Sequence, residues 1–475
     1  MKIVFRHSTM ASMVVLSSLG LLTGTADAAT YNVTGTADDG SGVVTGGPDT
    51  FEATTLRAAV NAANTNPGAD TIELPAGTYT LSGAEGGALD ITDALTIRGS
   101  DRSSTIIESG DPDRVLVFTS AASPSRLEGV TIQNGQAPAL LADTPMRGGG
   151  IYSEADLTLT DCAIRNNKAT GVEDGAQAKL AEGGGLYALN ADLVIDGCLI
   201  QNNIAQGGEV RSSSAPGGDA RGGGIYQVSG GLTISNSAIA GNAAYGGFGP
   251  YGGGNSEGGG LHHYGGAFNG GVVLINLTVS GNSTSGGNFN SPGTGLGDAR
   301  GGGLYLSNSG ASISNTTITL NSAAFGSFQA GGGIYNTDGS IALQSTLVAG
   351  NTAGTEPDIY RLSAVVSLGA NLIGIAGAEG GIDFPLPSSD QQGSSATPIE
   401  PLLDTLADNG GNTLTHALLA GSPALNAGSN NENLAFDQRG EGFPRVQGGQ
   451  ADVGAFEVDP LIFRDGFEVA QDGDG

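Results

Sequence analysis

The chain has no tryptophan, two cysteines, four histidines, and only 18 lysines and arginines against 47 aspartates and glutamates. Each shortage excludes something. A formal charge of −29 leaves no basic face for nucleic-acid phosphates or anionic lipid. Two cysteines are too few for a disulfide scaffold. No stretch after Leu22 approaches the ~18–20 apolar residues of a transmembrane helix. Aromatic residues are 5% of the total, so the apolar complement is mostly Leu, Ile, Val and Ala, which suits stacked layers better than one large core. Glycine, in contrast, is abundant: 83 of 475 residues, more than twice the usual ~7% share.

The glycines are organised. A Gly triplet followed by Ile or Leu and then a ring occurs six times, ending at Tyr152, Tyr187, Tyr226, His262, Tyr305 and Tyr335. The triplets start at 148, 183, 222, 258, 301 and 331. About seventeen residues after each of these Ile or Leu residues, 21 in the fourth copy, comes an Asn three positions after Ile or Val: Asn167, Asn203, Asn242, Asn282, Asn321 and Asn351. Between the landmarks lies an alternating run such as LTLT (157–160) or LVID (193–196). Each unit thus holds three strand signals separated by turn residues, with no helical period.

Three short strands and three turns per repeat make one rung of an all-β, right-handed parallel β-helix, a solenoid of the pectate-lyase-like kind. Roughly ten rungs at the ~4.8 Å strand spacing give a rod about 50 Å long. A β-propeller would need four strands per blade. Stacking the repeats aligns the six rings in one aromatic column. The six asparagines become a hydrogen-bonded ladder whose members tolerate the left-handed conformation. The residue before each triplet alternates in sign, Arg147, Glu182, Arg221, Glu257, Arg300 and then Ala330, so neighbouring rungs pair charges. Repeat length varies between each Asn and the next triplet, in polar, Gly-rich sequence, which places all the loops on one edge.

Cys162 and Cys198 stand two positions before Ile164 and Ile200 in consecutive repeats, hence on adjacent rungs. At ~4.8 Å they are within disulfide reach, although parallel side chains strain the bond, and a reduced pair filling one layer is the competing state. His262 reads as a ring in the column and His263 as the loop-facing residue after it. With no third ligand at a fixed spacing, the His pair is not a metal site.

Five segments follow. Residues 1–28 read as a signal peptide, with Lys2 and Arg6 before the apolar run Met10–Leu22 and small residues at Ala26 and Ala28. Residues 29–100 form the N-terminal cap and first coils, including a short helix with N-cap Thr54 and the apolar stripe Leu56, Ala59, Val60 and Ala63. Residues 101–360 are the repeats, 361–457 the irregular C-terminal coils and cap, and 458–475 an acidic tail.

The pairing of GGGI or GGGL with Ile-x-x-Asn resembles the GGAI and FxxN repeats of polymorphic outer-membrane proteins. The segment TTLRAAVNAANTNPGADTIELPAGTYTL (54–81) resembles CSLREA-type bacterial surface proteins, with Thr54 and Ala58 replacing that motif's Cys and Glu. SLGANLIG (367–374), GSPALNAG (421–428), FDQRG (436–440) and DVGAFE (452–457) are similar to choice-of-anchor β-helix proteins. These resemblances imply a secreted bacterial β-helix and no shared catalytic residue.

The functional expectation is a secreted or cell-surface monomer with a structural, adhesive or glycan-contacting role. Its partners would be cell-surface glycans or envelope components, with no nucleic acid, no cofactor and no obligatory metal. The alternative is a polysaccharide lyase or glycoside hydrolase acting on acidic glycans. Against it, the sequence has no Gly-His-Gly segment and no Asn-Thr-Asp with a following Asp pair. Asp161, Asp192 and Asp196 near strand ends are also ordinary turn residues.

Overall fold

A computed structural model of the chain describes residues 28–459 except 41, 139–144, 175–176, 212–214, 267–270, 290–294 and 377–386. The residues expected to form a signal peptide, Ala28 excepted, and nearly all of the acidic tail lie outside the described residues.

The alternating runs stack into one sheet of thirteen strands; an N-terminal hairpin supplies the first two, and the other eleven run parallel from Thr30–Val33 to Val365–Gly369. Eleven rungs at the ~4.8 Å spacing make a right-handed parallel β-helix about 48 Å long. Inward positions form unbroken apolar rows. Ile151, Leu186, Ile225, Leu261, Leu304 and Ile334 are in register on one face, and Ile164, Ile200, Ile239, Val279, Ile318 and Val348 on another, all 0% exposed. Burying each side chain is worth roughly 1.5–3 kcal/mol, which no isolated rung could gather.

Each of the six repeats carries five short strands rather than three. In the first full repeat these are Met146–Arg147, Ile151–Ser153, Leu157–Thr160, Ala163–Arg165 and Lys168–Thr170. The middle three enclose the body. The outer two build a pair of six-stranded sheets that face each other as a fin, with an interior of little more than alanine: Ala169, Ala205 and Ala244 opposite Ala181 and Ala220. The alanine pattern is too short and too mild to read as strand from sequence.

The triplet and the asparagine meet where the fin joins the body. The first glycine has φ near +62° at Gly148, Gly222 and their equivalents, and the third abuts the asparagine amide, with a Cβ on Gly150 falling 2.8 Å from Asn167 Cγ. In the ladder each Asn Nδ2 donates to the next Oδ1, from Asn167 through Asn203, Asn242, Asn282 and Asn321 to Asn351 at 2.9–3.0 Å. The last amide donates to Asp358 Oδ1 at 2.9 Å. An acceptor-only carboxylate suits this end, toward which every amide N–H points. Burial is the largest influence on Asp358 and raises its pKa to about 6, against the hydrogen bonds of Asn351 and Ile375.

The left-handed residue is not the ladder asparagine but the one before it: Asn166, Asn202, Gly241, Gly281, Leu320 and Gly350, with φ between +55° and +73°. Leu320 is an anomaly, since a branched side chain in this region costs ~1–2 kcal/mol and its side chain is largely exposed. Leu320→Gly should therefore stabilise the protein by ~0.5–1 kcal/mol after the glycine's extra chain entropy is deducted, read as a higher denaturation midpoint.

Two further expectations need correction at the ends. The helix spans Leu56–Ala63 and buries Leu56, Ala59, Val60 and Ala63, but its N-cap is Thr55, whose hydroxyl accepts from Ala58 N at 3.1 Å. The Thr54 hydroxyl accepts instead from Val43 N at 2.9 Å. At the other end, residues 399–458 do not continue the helix. They run back along its side, joining Thr278 to Gln438 at 2.6 Å, Ser280 to His416 at 2.8 Å and Thr317 to the Ala455 amide at 3.0 Å. The covered strands carry small outward residues, Ala240, Ser280 and Thr319, where uncovered coils carry Arg165 and Gln201. The FDQRG and DVGAFE motifs lock this strap. Asp437 takes Arg439 in a two-point ion pair at 3.0 and 2.6 Å, with the guanidinium 4.0 and 3.8 Å from the Phe443 and Phe456 ring centres. Among the described residues no helix is long and apolar enough to cross a membrane.

Candidate functional site

The fin leaves the body at an angle, and a cleft of about 430 Å³ lies in the corner between them. Its floor is the outer face of the body sheet containing the ring positions, and its wall is the returning fin sheet. Tyr152, Tyr187, Tyr226, His262, Tyr305 and Tyr335 are in register along the floor, with ring centres 4.4–5.6 Å apart. Tyr360 extends the column at 4.8 Å; no glycine triplet precedes it, so the repeat signal missed it. Stacked rings cover one another's faces and turn their edges to the cleft. One position further out, the row Leu189, Val228, Tyr264 and Ser307 also lines the floor. Tyr264 is 42% exposed and offers an accessible ring.

The charge ladder forms the wall. Glu182 takes Arg147 Nε at 2.8 Å and Arg221 Nη1 at 3.2 Å; Glu257 takes Arg221 Nε at 3.3 Å and Arg300 Nη1 at 3.1 Å. Asp219 and Asp298 each pair with the arginine two residues on. These ions are half-buried or more, so the pairing specifies register and keeps buried charge neutralised more than it adds net stability. Burial works against the charge on Arg221, but Glu257 and its other acidic neighbours outweigh it and raise the pKa. Arg147 and Arg300 shift upward as well, despite burial. Burial pushes the Tyr152, Tyr226 and Tyr335 hydroxyls up to about 12, so all stay protonated.

The two histidines part company. His262 is in the column. His263 is not loop-facing, because strand alternation turns it inward; it is 0% exposed, with Nδ1 3.1 Å from Ser309 Oγ and Nε2 3.4 Å from Gly230 O. Burial lowers its pKa to about 4, so it is a neutral core residue. Among the described residues no three His, Cys, Asp or Glu gather as a metal site would require. Asp161 accepts from Asn412 of the strap, and Asp192 and Asp196 accept from Gly231 N, and from Ser235 with Asn236, of the next rung, so all three have structural partners.

No disulfide joins Cys162 and Cys198. Both thiols are free and buried on adjacent rungs, and Cys198 Sγ accepts the Cys162 amide N–H at 3.3 Å. The side chains point the same way along parallel strands, which favours this stacked arrangement over the ~90° torsion of a disulfide. Burial raises the Cys198 pKa well above its ordinary value, so the thiolate needed for oxidation is disfavoured.

Beyond the fin the loops form a layer of their own. Gly208, Gly218, Gly247, Gly254, Gly287 and Gly297 hydrogen-bond in series at 2.8–3.0 Å, alternating between outgoing and returning halves of successive loops. A Cβ on Gly247, Gly254, Gly287 or Gly297 would fall within 2.0 Å of a carbonyl oxygen, so this packing requires glycine. A second depression of about 570 Å³, lined by Ala215, Pro216, Gly218, Asp219, Gly253 and Asn255 among others, borders this layer.

No protein-family model matches the chain, and no curated protein matches its sequence. The resemblances to polymorphic outer-membrane, CSLREA-type and choice-of-anchor proteins therefore gain no support. Among solved structures it is similar to a pectate lyase, Pel9A (TM-score 0.44, 14% identity, over 91% of this chain and 97% of that one). It is also similar to a pectin methylesterase from carrot (TM-score 0.31, 15% identity, 66% and 82%). At these values the likeness carries no argument about activity.

Proposed function

We propose that the protein is a secreted or cell-surface glycan-binding solenoid that holds neutral polysaccharide in the cleft without cleaving it. The observation that carries this reading is the cleft's chemistry: an accessible Tyr264 ring beside tyrosine edges and a row of alternating guanidinium and carboxylate groups. Sugar rings stack on exposed aromatics, and their hydroxyls both donate and accept, which matches a wall offering Arg donors and Glu acceptors on alternate rungs.

Charge argues for a neutral ligand. Arg147, Arg221 and Arg300 face Glu182, Glu257, Asp219 and Asp298, so the wall has no surplus cation for a uronic chain, and the net charge of −29 repels one at long range. Catalysis finds no support in the same groups. Glu182 and Glu257 both hold the Arg221 guanidinium between them, at 3.2 and 3.3 Å, and so serve as its counter-ions. A lyase base must lose its proton readily, and all three arginines shift the other way.

Calorimetric titration with neutral and uronic oligosaccharides checks this. The wild type should bind a neutral chain, and Tyr264→Ala should weaken it about tenfold, ~1.4 kcal/mol, with an unchanged denaturation midpoint. Preference for uronic chains, or indifference to the loss of the ring, would count against the reading.

A further inference from the structure

The charge ladder alternates except at its first step. Arg147, Glu182, Arg221, Glu257 and Arg300 change sign at every rung, but the rung before them contributes Arg114, so two arginines are neighbours. The Arg114 guanidinium carbon lies 5.3 Å from the ring centre of Tyr152 and that of Arg147 4.8 Å from Tyr187, and these two rings stack 5.4 Å apart at 7°. The cations therefore hold like positions one rung apart, ~4.8 Å by strand spacing, where like charges repel.

Counter-charge is short at this place. Arg147, Arg221 and Arg300 each contact a carboxylate, whereas Arg114 makes no ion pair among the described residues; Asp113 and Asp90 act on it only from beyond contact distance. Glu154, also at this end, accepts the Tyr152 hydroxyl at 2.7 Å. Burial is the largest influence on Arg114 and lowers its pKa; Arg147 adds to this, against Asp113, Tyr152 and Asp90. Arg114 stays protonated, as arginine does, so a half-buried charge is left without full compensation.

The two side chains are also open to a ligand. Arg114 Nε donates to Arg147 O at 2.8 Å and Arg147 Nε to Glu182 at 2.8 Å, but Nη1 and Nη2 of both residues have no hydrogen-bond partner among the described residues, and none of the four is closed off from solvent. The Arg147 side chain is 32% exposed and lines the cleft. The fin begins at Met146–Arg147, so Arg114 stands at the open mouth. Guanidinium forks match the paired oxygens of a carboxylate or phosphate. Deeper in, Glu182 and Glu257 stand between the arginines and would repel a second anion.

We propose that Arg114 and Arg147 form an oxyanion site at the mouth of the cleft: one carboxylate or phosphate group, carried at the end of an otherwise neutral glycan, lies across the two guanidinium groups and fixes which end of the chain faces the mouth. The inference rests on the glycan-binding reading and deepens it.

The test is calorimetric titration with a neutral oligosaccharide and with the same chain carrying one terminal glucuronic acid or one terminal phosphate. The wild type should bind a capped chain about tenfold more tightly than the uncapped one, and the cap that does so identifies the group. Arg114→Glu, which continues the alternation, should abolish the difference while the denaturation midpoint holds or rises. Equal affinity of the wild type for capped and uncapped chains, or a preference that survives Arg114→Glu, would overturn the site and leave the glycan reading standing. Should no glycan bind, that reading fails, and inorganic phosphate and free glucuronate decide the site alone. A midpoint raised by either anion in the wild type and not in Arg114→Glu would support it; no such rise would overturn it as well.

Discussion

Replacing Asn242 by alanine should cost about 4 kcal/mol or more, among the largest effects of any single side-chain truncation in the solenoid. Asn242 is 0% exposed; its Oδ1 accepts from Asn203 N and Nδ2 at 2.9 and 3.0 Å, and its Nδ2 donates to Ile200 O and Asn282 Oδ1, both at 2.9 Å. Alanine removes four hydrogen bonds at once. It leaves the Asn203 amide N–H buried with nothing in its place, at roughly 1–3 kcal/mol, and strips one partner from the Ile200 carbonyl, in addition to the bonds that are simply lost. Asn202→Gly supplies the contrast. It changes the neighbouring left-handed residue, φ +55°, to one that adopts that conformation freely, so its denaturation midpoint should stay close to the wild type's. Near-equal effects from the two substitutions would mean that the ladder does not divide the labour between adjacent residues as described.

Gly223→Ala is the second large effect, and here the cause is space. A Cβ at this position would lie 2.4 Å from the carbonyl oxygens of Ala243 and Gly259 and 2.5 Å from Ala243 C, all backbone atoms of the fin's root. None is the end of a flexible side chain that could swing away, so the two strands must separate, at ~3 kcal/mol or more. The expected result is a markedly lower denaturation midpoint or loss of soluble protein. Gly440→Ala separates crowding from backbone preference: φ there is +85° but nothing lies within 4 Å of the added carbon, so only the conformational cost of ~1–2 kcal/mol applies. Equal damage from both would show that the triplets serve turn geometry alone.

These contrasts mark where sequence reading succeeded and where it stopped. Strict recurrence made the architecture visible, because a Gly triplet, an apolar pair and an asparagine at nearly constant spacing impose one register on every coil. Arg147, Glu182, Arg221, Glu257 and Arg300 aligned for the same reason. What recurrence does not encode is how many strands occupy the interval after the asparagine. Two-residue strands such as Ala220–Arg221 have too little pattern to show a period, and the fin passed as loop. The strap was hidden differently. Its contacts join residues far apart in the chain, Asn276 to Phe436 and Asn412 to Asp161 among them, and its one local trace is the shrinking of outward residues from Arg165 and Gln201 to Ala240 and Ser280. The inward turn of His263 was readable from strand alternation, since it follows a ring that faces out.

For the candidate site, the sequence supplied both components, the rings and the alternating charges, without showing that they meet. Their meeting depends on the fin, which places the charged residues beside the rings instead of on a distant edge. The break at His262 appeared as a substitution in a column; the tilt of the rings on either side of it is visible only in coordinates.

Binding without cleavage is what sets this reading of the cleft apart from an enzymatic one. The measurement that addresses it most directly is the chain-length distribution of a neutral polysaccharide retained by the wild-type protein, followed over prolonged incubation alongside the bound fraction. Retention with an unchanged distribution and no new reducing or unsaturated ends is the predicted result. Chain shortening at a rate proportional to protein concentration would contradict it.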